Sequence, residues 1–441
     1  MLSDTLARLQ EVQPLRVIGS VKRVIGLAIE CEGLSVPIGS LCQIHPAIAN
    51  RHIEAEVVGF REDVTLLMPL GDTQGIKRGD RVRCVSRLQR VGVGPELLGR
   101  VVDARGIPID GGPPLLPTVF NPIYRTSPHP LRRDLILEPL SVGIRSIDAL
   151  HTCGKGQRVG LFSGSGVGKS LLMGMIARNT SADMSVICLV GERGREVREF
   201  IERDLGEEGL RRSVVVVTTS DQPALLRTKG PFTASAIAEY FRDQGKDVLL
   251  LMDSITRMAN AQREIGLSIG EPPATKGYPP SVFAMMPRLL ERAGKSQNGS
   301  ITGIYTILVE SDDINEPIAD TARSILDGHV WLSRELAMRG HYPAVDPLTS
   351  ISRLMIHVVD SEHVEAANRL KAAIAVYKQA EDLINIGAYV KGSNPEVDTA
   401  IRMMDQIQRF LRQGLYERYT MQETVKGLKE IAKELGHATG V

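Results

Sequence analysis

The chain has 441 residues, 43% hydrophobic and 24% charged, the texture of a soluble globular protein too long for one hydrophobic core. Its 53 Lys and Arg nearly cancel its 52 Asp and Glu, so no overall field draws it to nucleic acid or to an anionic membrane. Nine histidines without an H-E-x-x-H cluster, and five scattered cysteines (Cys31, Cys42, Cys84, Cys153, Cys188) without a C-x-x-C pair, give no zinc framework.

Asp4, Arg8, Glu11 and Arg16 break any signal-peptide core in residues 1–20, and no uncharged apolar run reaches the ~18 residues of a membrane span. Reduced, mostly buried thiols and a cytoplasmic protein with only peripheral membrane contact are therefore expected. Leu2, Leu6 and Leu9 would line one face of an N-terminal helix as a small apolar stripe, with a frayed helix lying on the barrel as the plain alternative. From 14 to about 90, short strands are predicted at Val21–Ile29, Leu41–Ile44, Ala55–Phe60, Val64–Pro69 and Arg81–Val85. Gly, Asn and Asp punctuate them, as in a small β-barrel. Seven prolines between Pro108 and Pro130 forbid long helices and central strands, and 91–139 reads as a linker wrapped on the core.

From about Leu140 to 360 apolar strands alternate with helices: Gln157–Ser163, Ser185–Gly191, Ser213–Thr219, Asp247–Asp253 and Gly303–Val309. The runs Val214–Val217 and Val248–Met252 are apolar on both faces, as parallel strands covered by helices on each side require. The remainder, 361–441, is helical: Val364, Ala367, Leu370, Ile374 and Tyr377 recur at helical spacing, and Ser393-Asn394-Pro395-Glu396 starts a further helix. The fold class is α/β, a P-loop core on a parallel sheet between a small N-terminal β-barrel and a C-terminal helical domain.

The segment Ser163-Gly164-Ser165-Gly166-Val167-Gly168-Lys169-Ser170-Leu171 joins an apolar strand to a helix. Its glycines let successive N–H groups converge on phosphate oxygens, and the helix N-terminus adds a positive dipole end. Lys169 is placed for the β- and γ-phosphates and Ser170 for Mg²⁺, so ATP or ADP with Mg²⁺ is the expected cofactor. Ser163 stands where G-x-x-x-x-G-K-[ST] has glycine, a small residue the turn should tolerate.

Asp253 ends an apolar strand, at the edge where open α/β sheets bind ligands, and is expected to hold the metal directly or through water. Capping the next helix is its plain structural alternative. Glu192 follows Ser185–Gly191 and should emerge at the same edge, where a carboxylate can orient attacking water. Arg193 could bind phosphate oxygens bidentately. From position alone, an exposed acid is the plain alternative for Glu192.

These residues, with Gly191–Glu196, Asp253–Arg257, Gly270–Phe283, Leu326–His329 and Gly340–Asp346, resemble the catalytic subunits of rotary ATP synthases and their secretion relatives. The resemblance runs from about Gly19 and is strongest to the flagellar type III export ATPases, then to the virulence (injectisome) ones. It implies a RecA-like core, Glu192 as catalytic glutamate, Tyr342 as the aromatic that stacks on adenine, and Arg353 as an arginine that enters a neighbour's site. Such a finger can be worth ~10³–10⁵ in rate. One chain carrying both half-sites implies a closed homo-oligomer, six by resemblance.

The resemblance also implies a stator-like export regulator docking on the N-terminal segment, a central-stalk-like export protein, an export gate and chaperone–substrate complexes as partners. The site would then be peripheral to the inner membrane at the secretion apparatus. Gly270–Ser281 is expected at a ring interface or channel. Gly387–Asn394 replaces the acidic loop of the ATP-synthase β subunit, a difference that argues against that subunit. A Rho-like translocase would favour aromatic platforms in the N-terminal barrel, whereas residues 1–90 hold one aromatic, Phe60. No nucleic acid is expected. A scaffold without turnover would need broken chemistry, yet Lys169, Ser170, Glu192, Asp253 and Arg353 are all present.

Overall fold

A computed structural model describes residues 17–46, 51–309, 313 and 316–438. The apolar stripe Leu2, Leu6 and Leu9 lies outside the described residues.

Six strands close an antiparallel barrel in the order Ile18–Ile25, Ala28–Glu32, Val64–Pro69, Ile53–Arg61, Leu41–His45, Arg81–Ser86. Alternate residues, among them Val21, Ile29, Cys31, Cys42, Ile44, Val57, Leu67 and Val82, fill its interior. The strand expected at Val21–Ile29 is two strands joined at Gly26, whose φ of +56° needs the left-handed region. Apolar periodicity continued across that turn, which hid it.

The following segment crosses the core. Arg90–Val93 pairs with Val119–Pro122 in a separate two-stranded ladder within this proline-rich region. One feature differs from expectation. Val101–Asp103, inside the segment read as linker, pairs in parallel with Ser213–Thr219 and becomes an edge strand of the core sheet. Three residues are too short a run to announce a strand in sequence.

The core sheet is parallel over Gly328–Leu332, Arg158–Ser163, Ser300–Leu308, Asp247–Asp253, Met184–Glu192, Ser213–Thr219 and Val101–Asp103, in that order, with antiparallel Ile351–Ser352 outside the first. Its two faces are buried in different cores. Val214 and Val216 pack with the helices Ala224–Asp243, Ile255–Ser268 and Pro280–Leu290, whereas Val215 and Val217 pack with the helix Lys169–Asn179. This explains why these strands read as continuous apolar runs. Met68 and Leu70 of the barrel meet Leu225, Leu226 and Ile265 of the core in a smaller cluster.

Three helices, Ser361–Asn385, Pro395–Leu411 and Met421–Ala438, pack on Ala149, Leu150 and Met355. Asn394 caps the second helix, its Oδ1 accepting from Glu396 N at 2.9 Å. All five cysteines are free and buried. No helix among the described residues is long and apolar enough to cross a membrane.

Candidate active site

Arg158–Ser163 delivers the chain to the carboxyl edge of the sheet. The buried Val167 anchors the turn from below, and Gly166 and Gly168 take φ of +80° and +88°. A β-carbon would strain both, and on Gly168 it would also meet the Tyr342 ring at 3.3 Å. Gly168 caps the helix Lys169–Asn179 through its backbone alone. Ser163 and Gly164 are buried, whereas Ser165, Gly166, Ser170 and Leu171 face solvent. The Ser163 hydroxyl is buried without a hydrogen-bond partner, so serine fits the glycine position sterically but leaves a polar atom unmatched.

Three neighbouring strands bring polar side chains to this turn. The Lys169 ammonium donates to Asp253 Oδ1 and lies 3.9 Å from Glu192 Oε1. Asp253 Oδ1 also accepts from the Thr306 hydroxyl at 2.7 Å. Glu192, 9% exposed, pairs with Arg257 Nη1 at 2.6 Å. Burial pushes the Glu192 pKa up to about 7, helped by a hydrogen bond with Glu196 and the charge of Asp253 and opposed by Lys169 and Arg257. Glu196 is held below the usual carboxylate range, chiefly by that same hydrogen bond.

Lys169, Glu192 and Asp253 thus meet as the sequence predicts, and Glu192 is not the exposed acid that position alone allowed. Arg193 is not brought to them. Its side chain is 80% exposed and pairs with Glu196 at 3.7 Å. The arginine that does reach Glu192 is Arg257, one turn into the helix Ile255–Ser268, and Arg257 Nη1 donates to Gly191 O at 2.8 Å as well. Its signal was its place four residues after Asp253, which aims it back at the adjacent strand's end.

Tyr342 is 45% exposed, with its ring beside Gly168 of the glycine turn. Arg353 lies elsewhere. Ser352 pairs with Gly328 and Gly328 with Val159, so Arg353 stands at the amino edge, a strand length of roughly 13 Å from its own P-loop. It is exposed, and its guanidinium donates to Leu326 O at 3.3 Å. The loop within Gly270–Ser281 is exposed between two core helices and is pinned where Glu271 Oε1 accepts from Ser281 N at 2.8 Å.

The residues present fit a magnesium nucleotide. The turn supplies a backbone cradle, while Ser170 and Asp253 offer hard oxygen donors, few enough to suit a cation that keeps waters and phosphate ligands.

Comparison with known proteins decides the family. The nucleotide-binding domain of the ATP synthase alpha/beta family matches 143–352, its beta-barrel domain 21–85, and the C-terminal domain of the type III secretion ATPase EscN 359–430. The flagellum-specific ATP synthase of Bacillus subtilis is 55% identical over 94% of both chains. This chain belongs to the type III secretion ATPases of the ATP synthase alpha/beta family. The assembled ATPase EscN of the enteropathogenic E. coli type III secretion system is 46% identical, with a TM-score of 0.89 over 94% of this chain and all of that one. EscN in complex with its central stalk EscO gives 45%, 0.87 and the same coverage.

Proposed function

We propose that this chain is a Mg²⁺-dependent, ring-forming ATPase that energises or assists the export of flagellar proteins through a type III apparatus. The observation that carries the catalytic reading is one buried cluster in which Lys169, Asp253, Glu192 and Arg257 meet at the P-loop.

Backbone N–H groups of Gly164–Leu171 bind the phosphates, and Lys169 leaves Asp253 to neutralise the terminal one. Ser170 and Asp253 hold Mg²⁺, which when bound screens phosphate charge and fixes the transferring group. Ionised Glu192 accepts a hydrogen bond from the attacking water and orients it. Arg257 fixes the Glu192 carboxylate and favours its ionised form. Tyr342 stacks on the adenine. Arg353, remote from its own turn, enters the site of a neighbouring copy.

EscN is an assembled ATPase that binds a central stalk, which supports a homo-oligomer, six by family likeness, with a stalk partner here. A stator-like regulator, an export gate and chaperone–substrate complexes complete the proposed partners, at the cytoplasmic face of the inner membrane. The 55% identity to a flagellum-specific relative favours flagellar use, whereas the 46% likeness to EscN supports a virulence apparatus as the second reading.

The test is Glu192→Gln. ATP binding by calorimetry stays within about threefold while steady-state phosphate release falls by about 10²-fold or more. Robust turnover would show that water is activated by another group.

A further inference from the structure

The loop that ends the helix Pro395–Leu411 turns back onto the nucleotide-binding core, and its grip converges on one amide. Gln413 is only 4% exposed. Its backbone N–H donates to Tyr342 O at 3.0 Å. Its side chain accepts from Arg145 N at 2.9 Å and donates to Gly143 O at 2.9 Å and to Glu417 O at 3.1 Å. Both amide hydrogens and the carbonyl are therefore matched, so the ring of contacts has one geometry.

Each partner leads to the nucleotide site. Gly143 has φ of +70° and lies against the far end of the P-loop helix, where a β-carbon would meet Asn179 Cβ at 2.3 Å. The last turn of that helix is held by the same loop, Arg178 donating to Leu415 O at 2.8 Å and Asn179 Nδ2 to Glu417 O at 3.4 Å. Arg145 stacks on Tyr419, 4.0 Å from the ring centroid. The loop thus holds the Tyr342 main chain with one end and the back of the P-loop helix with the other. The Tyr342 ring itself lies against Gly168, close enough that a β-carbon there would meet it at 3.3 Å.

We infer that Gln413 is a positioning residue that sets nucleotide affinity by fixing Tyr342 relative to the P-loop helix. It touches neither phosphate nor water, so it governs nucleotide affinity rather than the hydrolytic step. The inference rests on the reading of Tyr342 as the stacking aromatic.

The experiment uses the full chain with Gln413→Met, which keeps length and volume but loses the amide, alone and combined with Tyr342→Ala. Gln413→Met raises the KM for ATP, and the Kd of the non-turnover complex, by about tenfold, with kcat falling by less than about threefold. In the Tyr342→Ala background the same change moves both by less than about twofold, since the residue it acts through is gone. A lowered Tm with unchanged KM, or an equal rise in both backgrounds, overturns the proposal. Should the methionine variant not fold, Gln413→Asn must give the same pattern at smaller amplitude, and additivity there is equally fatal. If Tyr342→Ala alone leaves ATP affinity unaltered, the stacking reading fails and the inference falls with it. Failure at Gln413 alone leaves Tyr342 standing.

Discussion

Glu192 carries two opposed demands. It must be ionised to orient water, yet burial favours its neutral form and pushes its pKa up to about 7. Lys169 and Arg257 pull the other way, and Arg257 does so through a 2.6 Å ion pair. For the free enzyme the sign is fixed: kcat/KM falls as pH drops through about 7, because the protonated carboxyl cannot polarise water. Arg257→Gln removes a cation that favours the ionised form, so the acid limb moves to higher pH and kcat/KM at neutrality drops by about tenfold or more. Profiles of kcat/KM for the two proteins check this. Coincident limbs would mean that Arg257 does not control Glu192.

At the scale of elements, the P-loop helix is held as closely from behind as the phosphates require in front. Directly after Glu192 the chain forms the short helix Gly194–Glu199 and then a π-helical turn, Phe200–Leu205, packed on Lys169–Asn179. Gly174 makes the approach feasible, since a β-carbon there would stand 2.6 Å from the Asp204 carbonyl oxygen. Gly174→Ala has no flexible side chain to displace, so it costs about 1–3 kcal/mol despite the better helix propensity of alanine. Urea denaturation measures the loss, and a neutral or stabilised variant would show that the two elements separate readily. Legibility follows the same physics. Strands buried on both faces, the glycine turn and the helix capped by Asn394 could all be read, because period, φ requirement and capping are local. The Gly26 hairpin could not, because apolar periodicity runs across it, and the edge strand Val101–Asp103 and the π-helical turn could not, because long-range packing decides them. In the site, Lys169 was legible from the glycine turn it follows and Asp253 from the end of its apolar strand, whereas position alone left an exposed-acid reading open for Glu192. Arg257 was not singled out, since only the fold brings its helix over Gly191, and the neighbouring Arg193 drew the phosphate role by adjacency.

At the scale of the whole molecule, the two halves of the proposed site face away from each other. The cluster at Lys169 lies at the carboxyl edge of the sheet, and Arg353 lies at the amino edge beside Leu326 and Asp327. No rotamer of one arginine spans that separation within a chain, so a finger role for Arg353 requires a second copy and a head-to-tail contact, the kind that closes into rings. Lys169→Ala destroys the phosphate half and keeps the finger, whereas Arg353→Ala does the reverse. Each alone is expected to be nearly inactive. Co-assembled at equal amounts and at random, about a quarter of their interfaces pair an intact Lys169 with an intact Arg353. Activity should therefore recover toward about a quarter of wild type, read as phosphate release from rings whose mixed content is verified by mass. An arginine acting within its own subunit predicts no recovery at any mixing ratio, because every subunit then carries one broken half. Recovery that rises with the product of the two fractions assigns Arg353 to its neighbour, and its absence in verified mixed rings removes Arg353 from the mechanism in trans.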